Sequence, residues 1–275
     1  MKKIIIPIGI ILLTGTLQAQ VQVPSGLTSV ANENYIYTRT YLEAKTQSDA
    51  NAKQVQSVQY YDGLGRPKQV VRIKLSPQGN DVVTPILYDY FGRQTRDYLP
   101  VPQSGTQYGK IYGQPTTMTD FPVGDPMAMY TGEKAFTEKV LENSPLNRIQ
   151  EQVLAGTAWS NKPVKFKYEA NVDGEVKKIT ATATWSHGTT ASILDANIVN
   201  YPANQLYKTT VTDEDGNQTI EFKNGEEQVI LIRKVINSSQ NADTYYVYNN
   251  FNQLAFVVSP KALIAINDLP AGTTI

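Results

Sequence analysis

Two carboxylates stand at equivalent places in a repeated phrase: Asp62 in Tyr61-Asp62-Gly63-Leu64-Gly65-Arg66, and Asp89 in Tyr88-Asp89-Tyr90-Phe91-Gly92-Arg93. A pair of acidic side chains is the equipment of glycoside hydrolysis, one acting as acid and the other as nucleophile or base. Turn chemistry explains this pair without any reaction. Asp accepts hydrogen bonds from backbone two residues on, and Gly adopts positive φ at no steric cost. With 25 acidic residues in the chain, chance pairs are also frequent. Asp213-Glu214-Asp215-Gly216-Asn217 gathers oxygens of the calcium-binding kind. An EF-hand loop needs Gly at its sixth position and Glu at its twelfth. Here Gly216 is fourth and Asn224 is twelfth, so a hairpin turn is the better reading.

Other reactive residue types are scarce. His187, in Ser186-His187-Gly188, is the only histidine, and there is no cysteine. Zinc would have to be held largely by carboxylates. A Ser-His-Asp triad would have to use His187, and nothing marks a nucleophile. Gly63-x-Gly65 lacks the third glycine and the following helix of a nucleotide loop. Asn217-Gln218-Thr219 and Asn237-Ser238-Ser239 match the glycosylation acceptor pattern, a tripeptide that chance supplies often. The chain therefore reads as non-enzymatic, with no catalytic, cofactor-binding or metal-ligating residue. Tyr61, Asp62, Gly65, Arg66, Tyr88, Asp89, Gly92, Arg93, Asp213 and Gly216 are assigned to structural turns.

The elements around these turns read as strands. The phrase returns at Thr212 to Asn217, keeping Asp and Gly, and at Tyr248-Asn249-Asn250-Phe251-Asn252-Gln253, where Asn replaces both. A repeat with a turn at its centre speaks for architecture. Residues 55–61 and 69–75 form a hairpin around Asp62, and 82–88 and 94–99 flank Asp89. Residues 55–99 thus read as two consecutive hairpins or a four-stranded meander. Residues 35–41, 164–168, 175–185, 206–212, 218–223, 227–235, 244–248 and 254–258 read as further strands. Asn224-Gly225 is a strong hairpin signal. Pro100, Pro102, Pro115, Pro122 and Pro126 break a long connection over 100–129 that is expected to pack on the sheet. One helix is predicted near 132–143. Thr131 would cap it, Glu133 lies in its first turn, Phe136 and Val140 share a face, and Ser144-Pro145 stops it. No closing element is expected at the end of the sequence, where Pro270-Ala271-Gly272 leads to Ile275, so a repeat array would leave an unpaired edge there. The predicted class is mainly β: antiparallel hairpins and meanders in a curved sheet, with that one short helix.

Length and charge narrow the class further. The 275 residues suffice for one or two domains, and 25 acidic against 25 basic side chains give no general pull toward nucleic acid. Met1-Lys2-Lys3, the apolar run Ile4 to Leu13 and the small residues up to Ala19 form a secretory signal pattern over 1–19. Residues 20–30 read as a lead-in. The expected location is secreted, extracellular or at the cell surface, with no membrane span after signal cleavage. An exported chain without cysteine must hold by packing alone. Its 17 tyrosines suit inter-strand packing with wet hydroxyls; the sharper alternative is an aromatic platform for a glycan or cell-surface ligand.

The phrase Tyr-Asp-x-x-Gly-Arg before an apolar strand resembles the tyrosine–aspartate (YD) repeat of RHS (rearrangement hotspot) proteins. Tyr61 to Arg66 and Tyr88 to Arg93 fit fully, and the positions around Asp213 and Asn249 fit in part. Residues 31–160 resemble the N-terminal domain of secreted bacterial RHS-repeat proteins. The resemblance rests on Glu33-Asn34-Tyr35-Ile36, Tyr60 to Pro67, Leu99-Pro100-Val101-Pro102, Tyr130 to Lys139 and Asn143 to Arg148. Residues 161–275 look like a looser, incomplete RHS-type repeat region. The resemblance implies large extracellular proteins in which β-hairpins wind into a hollow shell around a C-terminal toxin or effector, released by self-cleavage. This chain shows no candidate for the self-cleaving segment or the effector, so neither activity is carried over. The implied role is to start or plug the shell, with the downstream repeat and effector region of the same longer protein as partner.

Overall fold

The computed structural model describes residues 23–29, 32–44, 52–113, 130, 133–194 and 198–267. The signal pattern, Pro115, Pro122, Pro126 and the expected cap Thr131 lie outside them. The fold is mainly β, built of antiparallel sheets with one short α-helix, and the chain divides into two compact units.

The first unit holds residues 1–86 and 100–129. Its strands are β1 (Asn34–Tyr41), β2 (Gln54–Tyr61), β3 (Pro67–Arg72) and β4 (Val82–Pro85). The chain then supplies β5 (Arg96–Tyr98) to the second unit and returns as β6 (Val101–Pro102). The sheet order is β1-β2-β3-β4-β6. Alternation along β1 turns Tyr35 and Tyr37 inward, against a core of Leu27, Val58, Tyr60, Val71, Ile73 and Val83. Residues 103–113 pack onto this sheet, as expected, through buried polar groups. The Tyr60 hydroxyl donates to the Gly109 carbonyl at 2.5 Å. Gln69, fully buried, exchanges two bonds with the Tyr112 backbone. Asp81, also fully buried, accepts from Lys74 N–H, Thr106 Oγ1, Gln107 N–H and the Tyr112 hydroxyl at 2.7–3.0 Å. Gly109 permits the close approach. Its φ is +90°, and a Cβ there would sit 2.9 Å from Ile73 Cδ1.

The second unit holds residues 87–99 and 130–275. It contains β5, β7 (Phe136–Leu141), β8 (Ile149–Val153), β9 (Val164–Ala170), β10 (Lys177–Lys178), β11 (Ala181–Ser186), β12 (Thr189–Leu194), β13 (Val199–Asn200), β14 (Tyr207–Thr212), β15 (Gln218–Lys223), β16 (Val229–Asn237), β17 (Gln240–Tyr248), β18 (Leu254–Val258) and α1 (Pro260–Asn267). Nine of these strands form one sheet in the order β18-β17-β16-β15-β14-β9-β8-β7-β5. β10 with β13 and β11 with β12 make two small ribbons between β9 and β14. Val176, Ile179, Leu194 and Leu206 from that insertion pack on Phe222, Leu231, Tyr245 and Val247 of the sheet. Beside this core, Arg233 pairs with Asp243 at 2.8 Å and Lys208 with Glu175 at 2.5 Å.

Three expectations change. Residues 136–141 are not a helix but strand β7, paired with β5 and β8. Phe136 and Val140 are four apart, a spacing that fits one face of a helix and one face of a strand alike. Pairing decides between them: Phe136 stacks on Tyr98 at 5.2 Å, and Glu138 pairs with Arg96 at 2.6 Å. Residues 55–99 are neither one meander nor two consecutive hairpins, because β4 pairs with β3 and β6 whereas β5 pairs with β7. Finally, a helix follows β18. Ser259 Oγ accepts the Ala262 N–H at 3.3 Å, Pro260 takes the first helical position, and Leu263 and Ile266, half-buried, pack against the core.

Candidate functional site

The repeated phrase builds one five-residue turn, and the structure contains it at residues 62–66, 89–93, 213–217, 224–228 and 249–253. In each, the first N–H donates to the fifth carbonyl at 2.9–3.0 Å, and the fourth N–H donates back to the first carbonyl at 2.9–3.1 Å. One side-chain oxygen of the first residue accepts the third and fifth N–H groups at 2.8–3.0 Å. The fourth residue takes left-handed φ: +77° at Gly65, +76° at Gly92, +88° at Gly216, +62° at Glu227 and +59° at Asn252. Ser76 to Asn80 forms a hydroxyl version, with Ser76 Oγ accepting the Asn80 N–H at 2.9 Å.

The first and fifth side chains are matched. Where the first is Asp, the fifth is a donor: Arg66 Nε, Arg93 Nε or Asn217 Nδ2, at 2.8–2.9 Å from the second carboxylate oxygen. Where the first is Asn, direction reverses, and its amide donates to Gln228 at 2.7 Å or Gln253 at 3.2 Å. Chemistry swaps while geometry holds.

Tyr61 ends β2 and pairs with Asn34 and Pro67, so Asp62, Gly65 and Arg66 join β2 to β3. Asp213 and Gly216 join β14 to β15, and Asn249 to Gln253 joins β17 to β18. Tyr88, Asp89, Gly92 and Arg93 lie between β4 and β5, which belong to different sheets, so this turn connects no paired strands. For the copy at 224–228, Asn224-Gly225 signals a hairpin but not this turn. The Gly is its second residue, and Glu227 takes the left-handed position. The signal that would have aligned it with the others is Asn and Gln four apart, as at Asn249 and Gln253.

These carboxylates are held ionised. The Arg66 N–H, then its guanidinium, lowers the Asp62 pKa. Asn217, by side chain and then N–H, lowers that of Asp213. Burial pushes Asp89 upward, but the Arg93 N–H, the Arg93 guanidinium and the Phe91 N–H outweigh it. Glu142, at the β7–β8 turn, is brought to about 2 by the Arg148 guanidinium and the Ser144 hydroxyl. A general acid needs its pKa raised toward neutrality. Here every shift runs the other way, and the oxygens are occupied by their own turns. His187 lies exposed in the β11–β12 turn at φ +51°. Among the described residues, no three His, Cys, Asp or Glu side chains gather around one point.

The 89–93 turn presents aromatic side chains outward, whereas the turns at 213–217 and 224–228 present Asp215 and Glu226. Tyr90 is 97% exposed and meets Phe91 edge-to-face at 5.5 Å. The Arg93 guanidinium lies 5.0 Å over the Phe91 ring and donates to Asn147 Oδ1 at 3.3 Å. Phe91, Arg93 and Asn147, with Asn143, Ser144 and Pro145, line a shelf of about 320 Å³.

No curated protein matches this chain. A family model described as Domain of unknown function (DUF6443) matches residues 34–171, from the first residue of β1 to the residue after β9. That span is half of the sequence, and the chain belongs to this family.

Proposed function

We propose that this chain is a non-enzymatic structural module of a secreted or cell-surface protein of the RHS, YD-repeat type, forming the leading part of a shell of β-hairpins. The observation that carries this reading is the one hydrogen-bond pattern shared by five turns, four of which join adjacent antiparallel strands. Carboxylates committed to their own turns support a scaffold rather than a reaction. The partner is the downstream repeat and effector region of the same longer protein, and the signal pattern over 1–19 supports export. Two measurements test the reading. Protein recovered from the producing cell should begin at Gln20; a cytoplasmic product retaining Met1 would remove the export half. Transcript sequence beyond codon 275 should encode further Tyr-Asp-x-x-Gly-Arg phrases; an unrelated continuation would remove the shell.

A carbohydrate- or surface-binding module is the second reading, favoured by the exposed Tyr90–Phe91 pair beside Arg93 and Asn147. A glycan array should then show signals that Tyr90→Ala abolishes, and a blank array disposes of it.

A further inference from the structure

We propose that Asn224 is a self-modification site: the folded turn promotes cyclisation of its side chain onto the Gly225 nitrogen, followed by hydrolysis to the acid. Asn224-Gly225 is the one Asn-Gly pair in the sequence. Asn224 Oδ1 accepts the Glu226 N–H at 3.0 Å and the Gln228 N–H at 2.9 Å. Two backbone donors on one carbonyl oxygen make an oxyanion hole, which stabilises the charge that develops there when a nucleophile attacks the carbon. The departing amide is held as well, because Asn224 Nδ2 donates to Gln228 Oε1 at 2.7 Å. The attacking nitrogen is uncommitted. Among the described residues, the Gly225 N–H donates to no acceptor, and a Cβ on Gly225 would meet nothing within 4 Å.

The reaction needs only water. The Gly225 nitrogen bonds to Asn224 Cγ, the Cγ–Nδ2 bond breaks, and the Gly225 proton leaves with the amide as ammonia. Water then opens the cyclic imide at either carbonyl, giving aspartate or isoaspartate, and nothing is oxidised or reduced.

The sister turns show what singles out this copy. Asn249 Oδ1 has the same two donors at 2.9 and 3.0 Å, but Asn249 is only 7% exposed. The residue after it, Asn250, carries a side chain that is fixed by accepting the Ala183 N–H at 2.9 Å. Asp62-Gly63 has the glycine, yet the Arg66 N–H and guanidinium hold the Asp62 carboxylate ionised, and an anion resists attack. Asn224 combines an uncharged carbonyl, two donors and a following glycine that is exposed to water. The aspartate product has a precedent in the fold. Asp213 holds the same position and accepts from the amide of Asn217 at 2.9 Å, a bond that Gln228 makes by turning its own amide. Isoaspartate adds a methylene to the backbone of the turn and has no such precedent.

Ageing the purified chain in mildly alkaline buffer, with peptide mapping by mass, tests the proposal. Amide-to-acid conversion at Asn224 should run well ahead of that at Asn249. It should also be several-fold faster in the folded chain than in the same chain unfolded by urea. A preorganised donor in an enzyme is worth ~10²–10³ in rate, and an exposed turn keeps a small part of that. Gly225→Ala should slow the conversion without lowering the urea midpoint. Conversion that is absent, equal or slower in the folded chain, equal at Asn249, or unaffected by Gly225→Ala overturns the proposal. None of these outcomes depends on the RHS reading.

Discussion

The copies of the turn share one left-handed angle and differ in the residue that adopts it. Gly65, Gly92 and Gly216 take left-handed φ at no steric cost, whereas Glu227 takes +62° with a side chain attached. Left-handed φ costs an L-residue roughly 1–2 kcal/mol, partly offset by the added freedom of glycine in the unfolded chain. Glu227→Gly should therefore stabilise the protein by about 0.5–1 kcal/mol, read as a higher urea midpoint. Gly225→Ala should be neutral or slightly stabilising. Gly225 has no positive φ, and a Cβ there meets nothing within 4 Å. A marked loss at Gly225 would contradict the turn assignment. In the first unit, Asp81→Ala would strand the Lys74 and Gln107 N–H groups and the Thr106 and Tyr112 hydroxyls at once. We expect a loss of about 3–5 kcal/mol in denaturant unfolding.

Within elements, the turn works as a matched pair of positions rather than as a motif. Asp with Arg or Asn, and Asn with Gln, make equivalent bonds in opposite directions. Asp62→Asn alone removes the charge that Arg66 holds. Adding Arg66→Gln recreates the pair found at Asn224 and Gln228. The double variant should melt closer to wild type than Asp62→Asn does, and additive losses in that cycle would refute the pairing. β7 carries the complementary lesson. Its Phe136 to Val140 spacing serves either period, and an isolated short helix is marginal in water, so strand neighbours prevail. The α1 start was readable in Ser259-Pro260, a cap followed by a proline at the first helical position.

Across the whole molecule, ionisation bounds the stable pH range on both sides. Asp62, Asp89, Glu138, Glu142, Glu175 and Asp213 have folded pKa values below their ordinary range. The unfolded chain therefore binds more protons in acid. This stabilisation is complete above about pH 5 and is lost as pH falls through about 4 toward 2. Burial raises the hydroxyl pKa values of Tyr60, Tyr112, Tyr201 and Tyr245, with Asp81 adding to the shift at Tyr112. That contribution is complete below about pH 10 and is lost as pH climbs above it. Urea midpoints against pH should form a plateau falling at both ends. A midpoint that rises below pH 4 would contradict the carboxylate assignments.

Local chemistry was determined by the sequence alone. Asp62 with Gly65, Asp89 with Gly92, and Asp213 with Gly216 specify their turns because each bond closes within five residues. Alternation in residues 164–168 and 207–212 specifies strands for the same short-range reason. Partnership was decided only in the tertiary structure. Nothing near Arg96 states that β5 pairs with β7 rather than β4, and nothing near Asp81 names Thr106 and Tyr112 as its donors. Those choices minimise exposed apolar surface and unpaired polar groups over residues distant in the chain. A pattern read along the chain carries the turn but not its neighbour.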